Sequence, residues 1–353
     1  MSAATSVPGR AAPGGLRGRL AAHSDVLLML ALAAGVFALM AVLVPDGRFL
    51  RPANFEGLSF LAPELGLLAI AIMVAMLTGG IDLSVIGIAN LSGILAGIFF
   101  HAMAGASRGP ALWGLPMEIV LGGIAIALTT GLVAGLLNGL LIAKLRVTPI
   151  LATIGSGQVF TGLALVLTGG PAIVGFPEIW QDIGNAKLLG LALPLWVLAG
   201  FAGLVWLLLA RTGFGVTLQM IGAAPRAAEF AGLRTARAVI LSYMLTGVLA
   251  SAAGVLLSSR VNAAKSDYGT SYLLQAVLIA VLAGTNPAGG RGSVPAVILA
   301  LVALMLLSSG FQLLRFSNFL VDFIWGVTLL AAIGLAALRG RGLPAWLRRG
   351  GRA

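Results

Sequence analysis

The sequence predicts an all-α integral membrane protein of about ten transmembrane helices. Three observations predict it. Hydrophobic residues make up 59% of the 353-residue chain and charged residues only 9%, whereas a soluble domain carries roughly 25% charged residues. Apolar stretches recur near 26–44, 58–78, 83–103, 116–143, 149–168, 191–210, 238–258, 271–285, 294–310 and 318–338, and each reaches or approaches the roughly 20 residues that cross a bilayer. Basic residues also sort by side. With a cytoplasmic N-terminus, 15 of the 22 Lys and Arg fall on inside segments and 7 outside, so the positive-inside bias puts both termini in the cytoplasm.

Composition bounds the rest. The net charge of +11 comes from arginines at the ends of apolar spans, which is the footprint of membrane topology and lipid headgroups, not of a nucleic-acid groove. There is no Cys, which excludes disulfides and thiolate chemistry. The 49 glycines suit close helix–helix approach in lipid. Residues 1–25 read as a polar, basic cytoplasmic segment with no signal-peptide cleavage pattern, 26–338 as one transmembrane domain, and 339–353 as a basic cytoplasmic tail anchored by lipid headgroups.

In chain order, the second span ends in Leu77-Thr78-Gly79-Gly80-Ile81-Asp82-Leu83-Ser84 and a third begins at once. Gly79 and Gly80 break the helix, and Asp82 is placed to cap the next one. The break reads either as a tight capped turn at the membrane face or as irregular backbone lining a pathway, with Asp82 and Ser84 as its polar groups. The fourth and fifth spans carry Asn138-Gly139 and then Thr148-Pro149, a helix start. Thr153, Ser156, Gln158 and Thr161 recur along the fifth span. They suit interhelical hydrogen bonds of about 0.6 kcal/mol each, or contact with a solute.

The segment 169–190 is the longest outside loop. It predicts a short interfacial helix around 177–183, with Trp180 at headgroup level. The basic inside segment 211–237 holds a compact helix signal: Pro225 at a first helical position, then Arg226, Ala227, Ala228, Glu229, Phe230 and Ala231, with Gly232 as terminator. So short a helix does not hold itself together in water, so it lies on lipid or docks on a partner. The loop from Ala283 to Ser293 is Gly-rich with one cation, Arg291, and could cradle a phosphate. A Walker A loop needs Gly-Lys before Ser or Thr, yet Lys144, Lys187 and Lys265 all follow Ala. Leu-Thr-Gly-Gly occurs at 77–80 and again at 167–170, compatible with an inverted five-plus-five repeat.

Hydrolytic and metal chemistry find no set of residues. His23 and His101 do not pair, and Glu64, Glu118 and Asp322 each fall near the outside end of a span. That scarcity of midplane carboxylates argues against an ion-coupled carrier.

The motifs add up to a family resemblance. Thr78-Gly79-Gly80-Ile81-Asp82-Leu83-Ser84 comes first, then Asn138-Gly139 with Val147-Thr148-Pro149-Ile150-Leu151-Ala152-Thr153-Ile154-Gly155. Ile221-Gly222-Ala223-Ala224-Pro225 running to Ala231-Gly232-Leu233 follows, and then Leu282-Ala283-Gly284-Thr285 with Gly289-Gly290-Arg291-Gly292-Ser293. In this order, over 26–338, the chain resembles the permease subunits of bacterial ABC importers for ribose, xylose, galactose and related sugars. The resemblance implies an inner-membrane subunit that is not itself an enzyme. It implies a second permease subunit, identical or paralogous, ATP-binding cassette subunits carrying ATP and Mg, and a periplasmic sugar-binding protein. No cofactor is expected on this chain. It makes Pro225–Gly232 a helix that couples to the ATPase. Nucleosides, autoinducer-type furanoses and branched-chain amino acids are alternative cargoes of such an architecture; a solitary ion-coupled carrier or a non-transporting scaffold are readings of other classes. The pattern is broken in places. Ala224 stands where Asn is usual, losing a cap worth about 1 kcal/mol. Arg226 and Glu229 stand in swapped order, and Val85-Ile86-Gly87 replaces Val-Gly-Ser.

Overall fold

The computed structural model describes residues 24–105 and 113–341. The expected cytoplasmic segment, except Ser24 and Asp25, and the tail beyond Arg341 lie outside the described residues. The described chain is helical throughout. It runs α1 (Ser24–Leu43), a 3-10 turn (Pro45–Leu50), α2 (Pro52–Leu77), α3 (Val85–Ala104), α4 (Met117–Ala143) and α5 (Pro149–Thr168). It continues through α6 (Glu178–Asn185), α7 (Leu193–Arg211), α8 (Gly213–Ala223), α9 (Pro225–Phe230), α10 (Thr235–Val261), α11 (Thr270–Leu282), α12 (Val294–Leu313) and α13 (Asn318–Arg341). The only strands among the described residues are two-residue ladders: β1 (Ile173–Val174) pairs antiparallel with β4 (Ala263–Ala264), and β2 (Lys187–Leu188) with β3 (Leu191–Ala192).

Eight of these helices are long and apolar enough to cross a membrane. The eighth expected span, 271–285, differs. It is the 13-residue α11, whose length of about 20 Å falls short of a hydrocarbon core of about 30 Å. Gly284, at φ +83°, ends it, and the chain turns into the 283–293 loop while still inside the protein.

α2 threads the centre, with every residue from Pro63 to Leu77 buried. A helix apolar all round needs partners all round, and α2 finds them in α3, α7, α10, α11 and α12. α10 packs closest on α4, where glycines meet glycines. A Cβ on Gly131, Gly135 or Gly139 would run into the backbone of Gly247, Tyr243 or Ile240. This is a small-residue stripe with four-residue spacing, which lets two membrane helices touch backbone to backbone.

Loop contacts sort the connections onto two faces. On one face β1 pairs with β4, Lys187 pairs with Glu56 at 2.6 Å, and Ser309 donates to Asn54 at 2.6 Å. On the other, Gly290 N–H donates to Leu77 O at 3.0 Å, Arg291 Nη2 lies 3.6 Å from Asp25, and Gly222 packs on Leu77 and Gly289. The connections thus fall on two sides, and the basic-residue count makes the second face cytoplasmic.

Trp180 departs from the expectation of a headgroup-level aromatic. α6 forms near the expected place, but Trp180 is fully buried, 5.1 Å from the Phe100 ring and within hydrogen-bonding reach of Ser258. It plugs the outer end of the bundle, because α6 lies on α10 instead of facing lipid.

Candidate functional site

The break between α2 and α3 holds the densest polar contacts in the bundle. Gly79, at φ +82°, turns the chain after α2, and its side faces Ala288 of the 283–293 loop. Gly80 has no room for a side chain, since a Cβ would meet Tyr243 Oη and Pro149. Asp82 follows, fully buried. Its Oδ1 accepts Ser84 N–H at 3.0 Å and Ser84 Oγ–H at 2.6 Å, and its Oδ2 accepts Thr246 Oγ–H at 2.6 Å. The expected capping of the next helix by Asp82 is not what the structure shows. Asp82 does accept the N–H two residues on, but α3 begins at Val85, with Ser84 in the cap position and no side-chain cap of its own.

Asn138 of α4 extends the knot by donating Nδ2–H to Ser84 Oγ at 2.8 Å. Thr153 of α5 donates to the Ile81 carbonyl at 3.1 Å and shares its hydroxyl with Pro149 O of its own helix at 2.9 Å. Three separate helices, α4, α5 and α10, therefore hold one irregular heptapeptide. Thr246 is the twelfth of the 27 residues of α10, so Asp82 lies inside the bundle, about three helical turns from the start of α10. Irregular backbone there must have its polar groups satisfied inside the protein, which is what these bonds do. Tyr243 Oη and Asn138 Oδ1 are buried without a partner among the described residues.

The remaining residues expected at the site separate. Gln158 is exposed and Thr161 half-buried on α5, and neither side chain is hydrogen-bonded among the described residues. Ser156 bonds only within its own helix, to Thr153 O at 3.4 Å. Gln158 is the tenth of the 20 residues of α5, on a face with Leu151, Ile154 and Val159 that nothing among the described residues covers. An amide at the middle of a membrane helix needs a polar partner or water.

The coupling segment is larger than one helix. α8, an 11-residue helix, precedes it and is capped by Thr212 Oγ, which accepts Phe214 N–H at 3.2 Å. The Thr-Gly-Phe-Gly signal for it was present in the sequence but masked by its glycines. α9 is the six-residue helix Pro225–Phe230, ended by Gly232 at φ +74°. Pro225, Arg226, Ala227, Glu229 and Gly232 are exposed, Ala228 is buried as its anchor, and Phe230 is 93% exposed. Arg226 and Glu229 make no ion pair, with each other or with another side chain, among the described residues.

Much of the 283–293 loop's N–H capacity, expected as a possible phosphate cradle, is spent inside the protein: Asn286 on Arg291 O, Ala288 on Asn286 Oδ1, Gly289 on Asn286 O and Gly290 on Leu77 O. Sequence reasoning also missed the pairing of Glu64 with Arg260. Arg260 Nε and Nη2 meet Glu64 Oε1 and Oε2 at 2.6 and 3.1 Å, and Glu64 is 1% exposed. The two stand 196 residues apart, with no local pattern to link them.

Residues 54–333 match the family described as branched-chain amino acid transport system / permease component. Relatives named autoinducer 2 import system permease protein LsrD include that of Yersinia enterocolitica, 34% identical over 275 residues, covering 76% of this chain and 79% of that protein. Those of Yersinia pseudotuberculosis and Yersinia pestis are 33% and 32% identical, each over 76% of this chain and 78% of theirs. No solved structure matches. Permease components of this kind are transport subunits, not enzymes, and work with ATPase and binding-protein partners. A multi-pass bundle with an exposed cytoplasmic helix and a polar-tied break inside the bundle fits that description, and the chain belongs to the permease-component family of binding-protein-dependent transport systems.

Proposed function

We propose that the chain is the membrane-spanning subunit of an ATP-driven importer in the bacterial inner membrane. It forms, with a second permease subunit, the path for a monosaccharide or related polyol delivered by a periplasmic sugar-binding protein. The observation that carries the reading is α9. A six-residue helix on the cytoplasmic face, with Phe230 93% exposed, has an aromatic ring that nothing among the described residues covers. ATP and Mg sit on the partner that covers it. The uncovered face of α5, with Gln158 at its middle, supports a second permease subunit and a polar path between the two. The spare hydrogen-bonding atoms Tyr243 Oη and Asn138 Oδ1 leave the break able to adopt a second bonded arrangement as the subunits rock.

A furanose of the autoinducer-2 type is a second reading of the cargo, favoured by the names of the relatives. Copurification of the chain with its partners, followed by identification of the ligand on the binding protein, tests both. A neutral sugar or furanose is expected; an amino acid would overturn the cargo class. The chain purified alone is expected to hydrolyse no ATP, and turnover by this polypeptide would overturn the reading.

A further inference from the structure

A cavity of about 320 Å³ opens between α2, α11, α12 and α13 in the outer half of the bundle. Each helix gives it one face. Leu58, Leu61 and Leu65 come from α2, Met305 from α12 and Val321 from α13. Opposite this apolar wall stand six polar side chains: Ser271, Tyr272 and Gln275 of α11, Ser308 and Gln312 of α12, and Asp322 of α13. In a membrane bundle such residues are commonly interhelical glue. Here they are not. None of Ser271, Gln275, Ser308, Gln312 and Asp322 makes a side-chain hydrogen bond among the described residues. Two amides, two hydroxyls and a carboxylate thus face a shared space with their bonding capacity unspent, Gln275 and Ser308 half-buried and Ser271, Gln312 and Asp322 exposed.

We propose that this cavity is a solute-binding site within the single subunit, for a neutral polyhydroxylated ring of monosaccharide size. The inference rests on the importer reading above. Size admits it: 320 Å³ lies at the lower end of ligand pockets, about 300–1,000 Å³. Charge selects it. Asp322 is the one acidic side chain among the lining residues and none of them is basic, so the wall itself offers no counter-charge to an anion or to the carboxylate of an amino acid; Arg260, on the far side of Tyr272, is committed to Glu64. Amides and hydroxyls both donate and accept, as ring hydroxyls require, while the leucine wall covers the C–H face of the ring. The cavity lies towards the outer face, where a delivered solute enters. A lipid headgroup rich in hydroxyls offers the same chemistry, and the test separates the two.

The complete importer is reconstituted and uptake of D-ribose, D-xylose and D-galactose measured. Gln275→Leu and Gln312→Leu should each lower uptake of the sugar the wild type carries by roughly 5- to 100-fold, because each leaves a bound hydroxyl unpartnered, while still copurifying with the ATPase. In parallel, Ser308→Cys places one thiol in this Cys-free chain. The transported sugar should slow its modification by a small, impermeant methanethiosulfonate. Wild-type uptake in both Leu variants overturns the site and leaves the importer reading intact. If the Leu variants do not assemble, the thiol decides: no protection by a sugar that the wild type carries overturns the site. Protection by phosphatidylglycerol nanodiscs and not by sugar makes it a lipid site and also overturns it. A wild type that carries no neutral sugar fails the importer reading first, and the cavity assignment with it.

Discussion

Asp82 and Glu64 are both carboxylates inside a membrane bundle, and their surroundings give them different work. Asp82 has no cation. Three hydrogen bonds from Ser84 and Thr246 occupy both its oxygens. Removing it strands the Ser84 N–H and the Ser84 hydroxyl, at about 1–3 kcal/mol for each buried group left unpaired, while the Thr246 hydroxyl keeps Tyr243 O at 2.9 Å. Asp82→Ala is therefore expected to lower the melting temperature of the detergent-solubilised chain and to impair assembly or transport; wild-type stability together with wild-type uptake would show the knot to be dispensable. Glu64 does have a cation. Truncating one partner leaves the other charge buried, at about 3–5 kcal/mol, whereas replacing both with apolar residues costs little or nothing. Glu64→Leu and Arg260→Leu should each destabilise the chain and the double variant should recover most of the loss in a thermal melt. If the double variant melts as low as the worse single one, the pair is not what holds α2 to α10 at that point.

At the scale of elements, the spans with strong local signals were legible. The expected 116–143 and 149–168 correspond to Met117–Ala143 and Pro149–Thr168, because Pro149 fixes one start and long apolar runs fix the rest. α11 was not, because the small residues Ala283, Gly284 and Thr285 extend the span's composition past Leu282, whereas Gly284 at a positive φ turns the chain into a loop. α8 was not, because Gly213, Gly215 and Gly222 weaken its propensity, although Gly215 and Gly222 are there for close packing on Leu209 and on Leu77. Of the site, the residues of the break were legible from the Gly-Gly-x-Asp-x-Ser spacing, while Thr246 and Tyr243 were hidden among the polar residues of a long helix. Which helix faces meet is also invisible to composition, as the glycines show. On Gly135 a Cβ would press on the backbone of Tyr243 and Met244; on Gly155 of α5 it meets nothing within 4 Å. Gly135→Ala should destabilise the isolated chain by about 1–3 kcal/mol through overpacking, and Gly155→Ala should be neutral or stabilising by up to about 1 kcal/mol. Equal melting temperatures for the two variants would contradict the close approach of α4 and α10.

For the whole molecule, the open question is how a cytoplasmic partner moves a bundle whose spans are tied together from face to face. The path of force is short. α9 leans on α8 and α10, α8 touches Leu77 and the 283–293 loop through Gly222, and Leu77 is the last residue before the break. A push on α9 thus reaches the irregular segment at Asp82 within a few packed contacts, as a rigid-body transition requires. Direction of charge at the contact matters here. Arg226 lies in the first turn of α9, where the helix dipole is unfavourable to a cation by about 0.3–1 kcal/mol, and Glu229 makes no ion pair with it to offset this. Lipid headgroups could supply the missing anion, but exposed Phe230 beside it argues for a protein groove that seats an aromatic ring and presents an acid to Arg226. Arg226→Glu should then uncouple ATP hydrolysis from uptake in the reconstituted importer by setting like charges together. The double variant Arg226→Glu with Glu229→Arg should stay uncoupled, since the groove is fitted to the order found here. Uptake per ATP restored to the wild-type value in the double variant would mean that the partner presents no complementary acid, and that the swapped order answers only to forces within this chain.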